Sequence, residues 1–210
     1  MTLVSYPLIS VENLSCIREE RTLFASLSFD LEAGELIQVE GPNGAGKSSL
    51  LAIVAGLGDS ATGKVCYLNQ AIGEVRAQYH QDLLFIGHHS GINTVLTPLE
   101  NLAFYARIQP CQPLDHWQVL DTVGLFGFED VPVGQLSAGQ QRRVALARLW
   151  LSRARVWVLD EPFTAIDKKG VAALEQRLWQ HCQQGGAVLM TSHQDLAKPP
   201  SQRLLLEAVS

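Results

Sequence analysis

Gly41-Pro42-Asn43-Gly44-Ala45-Gly46-Lys47-Ser48, followed by Ser49, is the run with the plainest chemistry in the chain. Glycines let successive backbone N–H groups converge on phosphate oxygens. Lys47 adds a charge suited to β- and γ-phosphates, and the Ser48 hydroxyl can ligate Mg²⁺. Leu50, Leu51, Ile53, Val54 and Leu57 then recur at buried-face helical spacing, with Gly56 and Gly58 to stop the run. The loop is therefore expected at a helix N-terminus, whose dipole favours anions. The spacing implies a nucleotide site; a glycine turn beside a surface lysine is the competing reading, and the helix weighs against it.

Two further constellations bear on phosphate chemistry. Val156-Trp157-Val158-Leu159 is a continuous apolar run ending at Asp160-Glu161, and an open α/β sheet places its ligand site at the carboxyl ends of such strands. One carboxylate can hold Mg²⁺ through water while the next, pointing elsewhere, orients and polarises an attacking water. Acidic pairs at strand ends are commonly just solvated; the phosphate loop is what gives this pair a task. Leu136-Ser137-Ala138-Gly139-Gln140 opens a second helix, whose free N–H groups and serine hydroxyl can bind an anion. A capping box between Ser137 and Gln140 would explain the same residues.

The elements that must position these groups follow from periodicity. Ser26–Leu31 alternates polar and apolar, and Glu35–Val39 leads as a strand into the phosphate loop. Residues 59–90 mix glycine, polar residues and short apolar runs, ending in a strand at 82–86 and a turn at Gly87-His88-His89-Ser90-Gly91. From about 97 to 134 the pattern is helical, with Thr97 or Thr94 as a cap, Pro110 and Pro113 as breaks, and a second helix over 114–123. A helix from Ser137 to about Ser152, the strand 156–159, a helix through Leu174 and Leu178, and a strand 187–190 ending at His193 complete repeated strand–helix–strand units. Such units make a parallel sheet.

Composition bounds the rest. The 210 residues are 47% hydrophobic and 18% charged, ordinary for a folded domain. A net charge of −5 without any Lys/Arg-rich run argues against a nucleic-acid partner. No apolar run is long enough to cross a bilayer, and Met1-Thr2-Leu3-Val4-Ser5-Tyr6 lacks the layout of a signal peptide, so a cytoplasmic chain is expected. Cys16, Cys66, Cys111 and Cys182 are scattered and read as free thiols, mostly core.

The order of phosphate loop, signature helix, Asp160-Glu161-Pro162, Thr164-Ala165-Ile166-Asp167 and His193 resembles the ATP-binding cassette family over essentially the whole chain. That family's signature is Leu-Ser-Gly-Gly-Gln; this chain departs from it only at Ala138. The resemblance implies an α/β fold: a P-loop NTPase core with a parallel sheet, an N-terminal antiparallel β subdomain and an inserted helical subdomain at about 94–152, with 1–210 one nucleotide-binding domain. It implies ATP and Mg²⁺ as cofactors, Ser48 and Asp160 at the metal, Glu161 as the catalytic carboxylate, and His193 bonded to the γ-phosphate and attacking water. It also implies a homodimer in which the Ser137 helix binds the nucleotide held by the other protomer and Asp167 lies in the loop that crosses between them. Two expected residues are absent. No aromatic stands near Ile17-Arg18-Glu19 to stack on adenine; Arg18 aligns best, either stacking on the base or lying on the surface. The usual glutamine after Ile86 is replaced by His88 or His89, which either couple nucleotide to partner or are plain turn residues.

The runs Cys16–Arg21, Gly87–Ile92, Leu136–Leu149 and Leu159–Asp167 are similar to the ATPase subunits of bacterial cytochrome c maturation systems, known as haem exporters. That similarity implies a peripheral subunit on the cytoplasmic face of the inner membrane, paired with an integral membrane transporter subunit. A soluble cassette acting on nucleic acid or ribosomes would usually carry two cassettes or long arms. A P-loop kinase would carry an acceptor pocket and lid in place of the signature helix.

Overall fold

The computed structural model describes residues 6–89 and 91–207. The start Met1–Ser5, and Ser90 within the turn expected at 87–91, lie outside the described residues. The chain begins with a long hairpin, β1 (Ile9–Arg18) and β2 (Arg21–Leu31), closed by Glu19 and Glu20 at φ +47° and +64°. Two residues of positive φ match the right-handed twist of the flanking strands, so Arg18 and Arg21 face each other at the tip. After β3 (Leu36–Glu40) and α1 (Lys47–Val54), the chain returns through β4 (Thr62–Tyr67) and β5 (Gln70–Ala71) to make an antiparallel sheet ordered β2-β1-β4-β5.

The segment 72–207 then adds α2 (Arg76–Asp82), β6 (Leu83–Ile86), α3 (Pro98–Ile108), α4 (His116–Thr122), α5 (Ala138–Leu151), β7 (Val156–Leu159), α6 (Lys168–Gln183), β8 (Ala187–Thr191) and β9 (Gln202–Leu205). Its strands join β3 in a parallel sheet ordered β6-β7-β8-β3-β9. Side chains alternate across that sheet. Ile37, Val39, Val156, Val158, Ala187 and Leu189 pack toward α1 and the antiparallel sheet, whereas Leu36, Trp157, Leu159, Val188 and Met190 pack toward α5 and α6. Both faces are covered, which is why these strands read as unbroken apolar runs. Helices α3, α4 and α5 share a separate core around Leu102, Leu120, Leu125 and Val144. Thr97 caps α3 with a full capping box to Glu100, followed by Pro98, and Asp115 caps α4.

Two sequence expectations are corrected. Leu57 belongs neither to α1 nor to its buried face; α1 stops at Val54 and Leu57 is 58% exposed. Asp82 ends α2 and does not open β6, and there its carboxylate accepts a hydrogen bond from the Tyr67 hydroxyl at 2.6 Å. The elements β4, β5, α2 and β9 were not expected, because none carries an apolar period of its own.

Parallel register places the carboxyl ends of β3, β6, β7 and β8 on one edge of the sheet, with Ile86 opposite Leu159 and Leu159 opposite Met190. The phosphate loop, Gly87, Asp160-Glu161 and Ser192-His193 all leave from that edge. Leu189 sits fully buried in β8 between β7 and β3, while Leu205 on edge strand β9 is 61% exposed. Leu189→Ala should lower the unfolding free energy by about 3 kcal/mol, and Leu205→Ala by less than about 0.5 kcal/mol, in urea titrations. Equal effects would contradict this placement of the core.

Candidate nucleotide-binding and hydrolysis site

The loop from β3 to α1 turns on Gly46, which takes φ +94° as the residue before the helix. A Cβ there would also lie 2.9 Å from the Leu23 Cβ, so both conformation and space demand glycine. The helix ladder begins with Leu50 N–H donating to the Gly46 carbonyl at 2.8 Å, which leaves first-turn N–H groups directed out of α1. The Lys47 ammonium curls over the loop and donates to the carbonyls of Gly41 at 2.7 Å and Pro42 at 3.3 Å.

A cleft of about 580 Å³ opens over this loop, with the tip of the β1–β2 hairpin as its far wall. Pro42, Asn43, Gly44, Gly46, Lys47, Ser48 and Ser49 line it together with Asp160, Glu161, His193 and Arg18. Eleven residues from four separate stretches of sequence thus meet in one place. Ala45 does not: it is 1% exposed and its side chain packs into the core beneath the loop. Gly41 faces a neighbouring recess with Gln38, Ser192 and Arg203. Arg21, Leu23 and Glu19 join Arg18 on the hairpin wall.

The two acids differ because the backbone reverses between them. Asp160 continues β7, donating its N–H to the Ile86 carbonyl at 2.8 Å, and is 5% exposed. Glu161 turns to φ +47°, a left-handed conformation that costs a non-glycine residue about 1 kcal/mol or more and needs outside support. Thr191, at the end of β8, supplies part of it. Its hydroxyl donates to Asp160 Oδ1 at 2.7 Å and accepts from the Glu161 N–H at 2.8 Å. Arg142 on α5 holds the other side, its Nη2 donating to the carbonyls of Asp160 at 2.7 Å and Glu161 at 2.9 Å. The Glu161 Oε1 atom is buried and accepts no hydrogen bond among the described residues, and His193 Nε2 stands 3.5 Å away.

Other expected residues sit outside this cleft. Ser137 heads α5 with both bonds of a capping box: its Oγ accepts from Gln140 N–H at 3.3 Å, and Gln140 Oε1 accepts from Ser137 N–H at 2.9 Å. The hydroxyl proton is still free to be donated to an anion. Leu136 is mostly buried and Ala138 exposed, and a Cβ on Gly139 would lie 2.6 Å from the Ala165 carbonyl, so this helix tip presses against the loop that follows Glu161. Asp167 caps α6, accepting from Gly170 N–H at 2.9 Å and pairing with Arg143 at 3.0 Å. The Gly170 N–H, helped by Arg143, holds its carboxyl below the usual aspartate range. His88 and His89 are both exposed, with ring centroids 5.5 Å apart, edge to face.

Thr191, Arg142 and Gln38 were missed. Thr191 reads as an ordinary β-branched strand residue and Arg142 as a charge on a helix surface. Gln38 did give a signal, a polar residue between Ile37 and Val39 of a central strand. It is 2% exposed and donates to the carbonyls of Ser192 and Gln194, both at 3.4 Å, on either side of His193.

Comparison with known proteins agrees with this geometry. The family model described as ABC transporter matches residues 24–164. The "Cytochrome c biogenesis ATP-binding export protein CcmA" of Yersinia pestis is 57% identical over 190 residues, covering 90% of this chain and 87% of that protein. The protein of the same name from Vibrio cholerae is 56% identical over 192 residues, covering 90% and 92%. A dimeric bacterial ABC transporter cassette superposes with a TM-score of 0.81 at 23% identity, covering 95% of this chain and 94% of that one. The same cassette in a post-hydrolysis state with ADP and Pi also gives 0.81 at 23% identity, over 96% and 97%. A P-loop cleft of this composition, a signature helix and these relatives have one explanation: the chain belongs to the ABC transporter family, among its cytochrome c biogenesis ATP-binding export proteins.

Proposed function

We propose that this chain forms a single nucleotide-binding domain that hydrolyses ATP for a cytochrome c maturation transporter. In this reading it sits on the cytoplasmic face of the bacterial inner membrane as a peripheral homodimer bound to an integral transporter subunit, with no nucleic-acid partner. The observation that carries the reading is the unbonded Glu161 Oε1, buried at the wall of the Lys47 cleft with His193 beside it. A buried carboxylate oxygen that accepts no hydrogen bond is costly unless a ligand or water completes it.

In that site Lys47 and the loop N–H groups bind the β- and γ-phosphates. Glu161 accepts the proton of the attacking water as its oxygen bonds to the γ-phosphorus and ADP leaves, and His193 orients the γ-phosphate. The Ser48 hydroxyl and the Asp160 carboxylate face the same cleft, two hard oxygen donors of the kind Mg²⁺ takes alongside phosphate and water. Held by these two residues, Mg²⁺ would supply positive charge to offset that developing on the β- and γ-phosphates. The tip of α5, with Leu136 to Gln140, would close over the nucleotide of a second copy through its exposed Ser137 and Ala138, and Asp167 would lie between the two. No helix among the described residues is long and apolar enough to cross a membrane. In this reading the transport path belongs to the partner, and His88 and His89 occupy the loop leading to the helical subdomain that would meet it.

Glu161→Gln should retain ATP binding but lose at least about 100-fold in turnover, and should run as a dimer in MgATP on size exclusion. Lys47→Ala should weaken nucleotide affinity by about tenfold or more. Turnover near the parent rate in Glu161→Gln would remove that residue from the chemistry. For the base, Arg18 offers only a guanidinium plane, which accepts either purine, so GTP should compete with ATP within about tenfold. Unchanged nucleotide affinity in Arg18→Ala would return Arg18 to the surface.

A further inference from the structure

We propose that Arg142 is the positioning residue for Glu161, and that it carries the state of the signature helix and of the His88-His89 loop to the hydrolytic carboxylate. The inference rests on the role given to Glu161 above. Arg142 lies one turn into α5 from Ser137, and only 8% of it is exposed. From α5 its guanidinium reaches two other segments at once: Nη2 donates to the carbonyls of Asp160 and Glu161, and Nη1 donates to the Gly87 carbonyl at 3.3 Å. Gly87 follows β6 and immediately precedes His88, so one side chain of the helix that would cap a second nucleotide is bonded both to the loop into the helical subdomain and to the two residues that follow β7.

Chemistry favours arginine for this task. A planar fork with two terminal nitrogens can span carbonyls on opposite sides, which a single ammonium or amide cannot. Burial lowers the Arg142 pKa, and the nearby Asp160 and Glu161 carboxylates push it back toward the charged form. The bond to the Glu161 carbonyl also fixes a backbone at φ +47° that would otherwise relax, carrying the Oε1 atom out of line with the phosphate loop. A shift of α5 by one or two ångströms would break these bonds, which form only over a narrow distance range. The helical subdomain thereby has a direct mechanical hold on the carboxylate.

The test compares Arg142→Gln and Arg142→Lys with the parent protein, measuring thermal unfolding, ATP affinity with a fluorescent nucleotide, and kcat and KM for hydrolysis. Arg142→Gln should keep ATP affinity and KM within about twofold while kcat falls ~10–100-fold, the factor expected for losing buried charge-assisted bonds. Arg142→Lys, which keeps the charge but loses the span, should fall in between. If Arg142→Gln does not fold, Arg142→Lys decides alone. A parent-like kcat in the folded variant overturns the inference, as does a parallel loss of kcat and ATP affinity, which marks general damage. Glu161→Gln assayed beside them separates the two readings: if it hydrolyses ATP normally, the role of Glu161 fails and this inference with it, whereas an inactive Glu161→Gln beside a parent-like Arg142→Gln refutes the Arg142 role alone.

Discussion

The site depends on how β7 ends. A strand buried on both faces delivers Asp160 and Glu161 to the edge of the sheet, and one left-handed residue then sends the two carboxylates different ways. That backbone is held by neighbours on both sides, with the Thr191 hydroxyl on the amide and the Arg142 guanidinium on the carbonyl. Thr191 is fully buried, and it also donates to Asp160. A single hydroxyl therefore fixes the relative placement of Asp160 and Glu161, and does so from the adjacent strand, whose position the sheet already dictates.

The rest of the fold serves that edge. Parallel pairing brings four loop-bearing strand ends together, and the antiparallel hairpin reaches over to supply the opposite wall of the cleft. The helical subdomain has its own core but shares α5 with the main one: Leu146 and Leu149 pack against the sheet, while Val144, Ala147 and Leu151 pack against α3 and α4. One helix thus belongs to both bodies. An ABC-type ATPase of this kind can pass movement between nucleotide and partner along such an element, because its two faces are anchored in different cores.

Much of this was legible in the sequence, for physical reasons that differ from element to element. The glycine spacing at 41–46, the apolar run at 156–159 and the cap residues Thr97 and Ser137 each encode a local requirement, so reading them needs no knowledge of distant contacts. Gly46 illustrates the limit: its positive φ could be expected from the loop, but its contact with Leu23 could not. Thr191 and Arg142 escaped because their chemistry appears only when β8 and α5 are laid beside β7. Leu57 was misplaced because helical spacing continues for one step beyond the point where Gly56, at φ +70°, ends the helix. The short β4, β5, α2 and β9 owe their form to the strands they pair with or pack against, not to any pattern of their own.

The central claim is that Glu161 works because its backbone is pinned, and Thr191→Val tests it most directly. Valine keeps the shape of the side chain while removing both hydrogen bonds. The measurement is single-turnover ATP hydrolysis alongside nucleotide affinity without Mg²⁺, with Thr191→Ser as the control that restores the hydroxyl. Thr191→Val should bind nucleotide as the parent does and hydrolyse it ~10–100-fold more slowly, with Thr191→Ser close to the parent. Hydrolysis at the parent rate in a folded Thr191→Val protein would contradict the account.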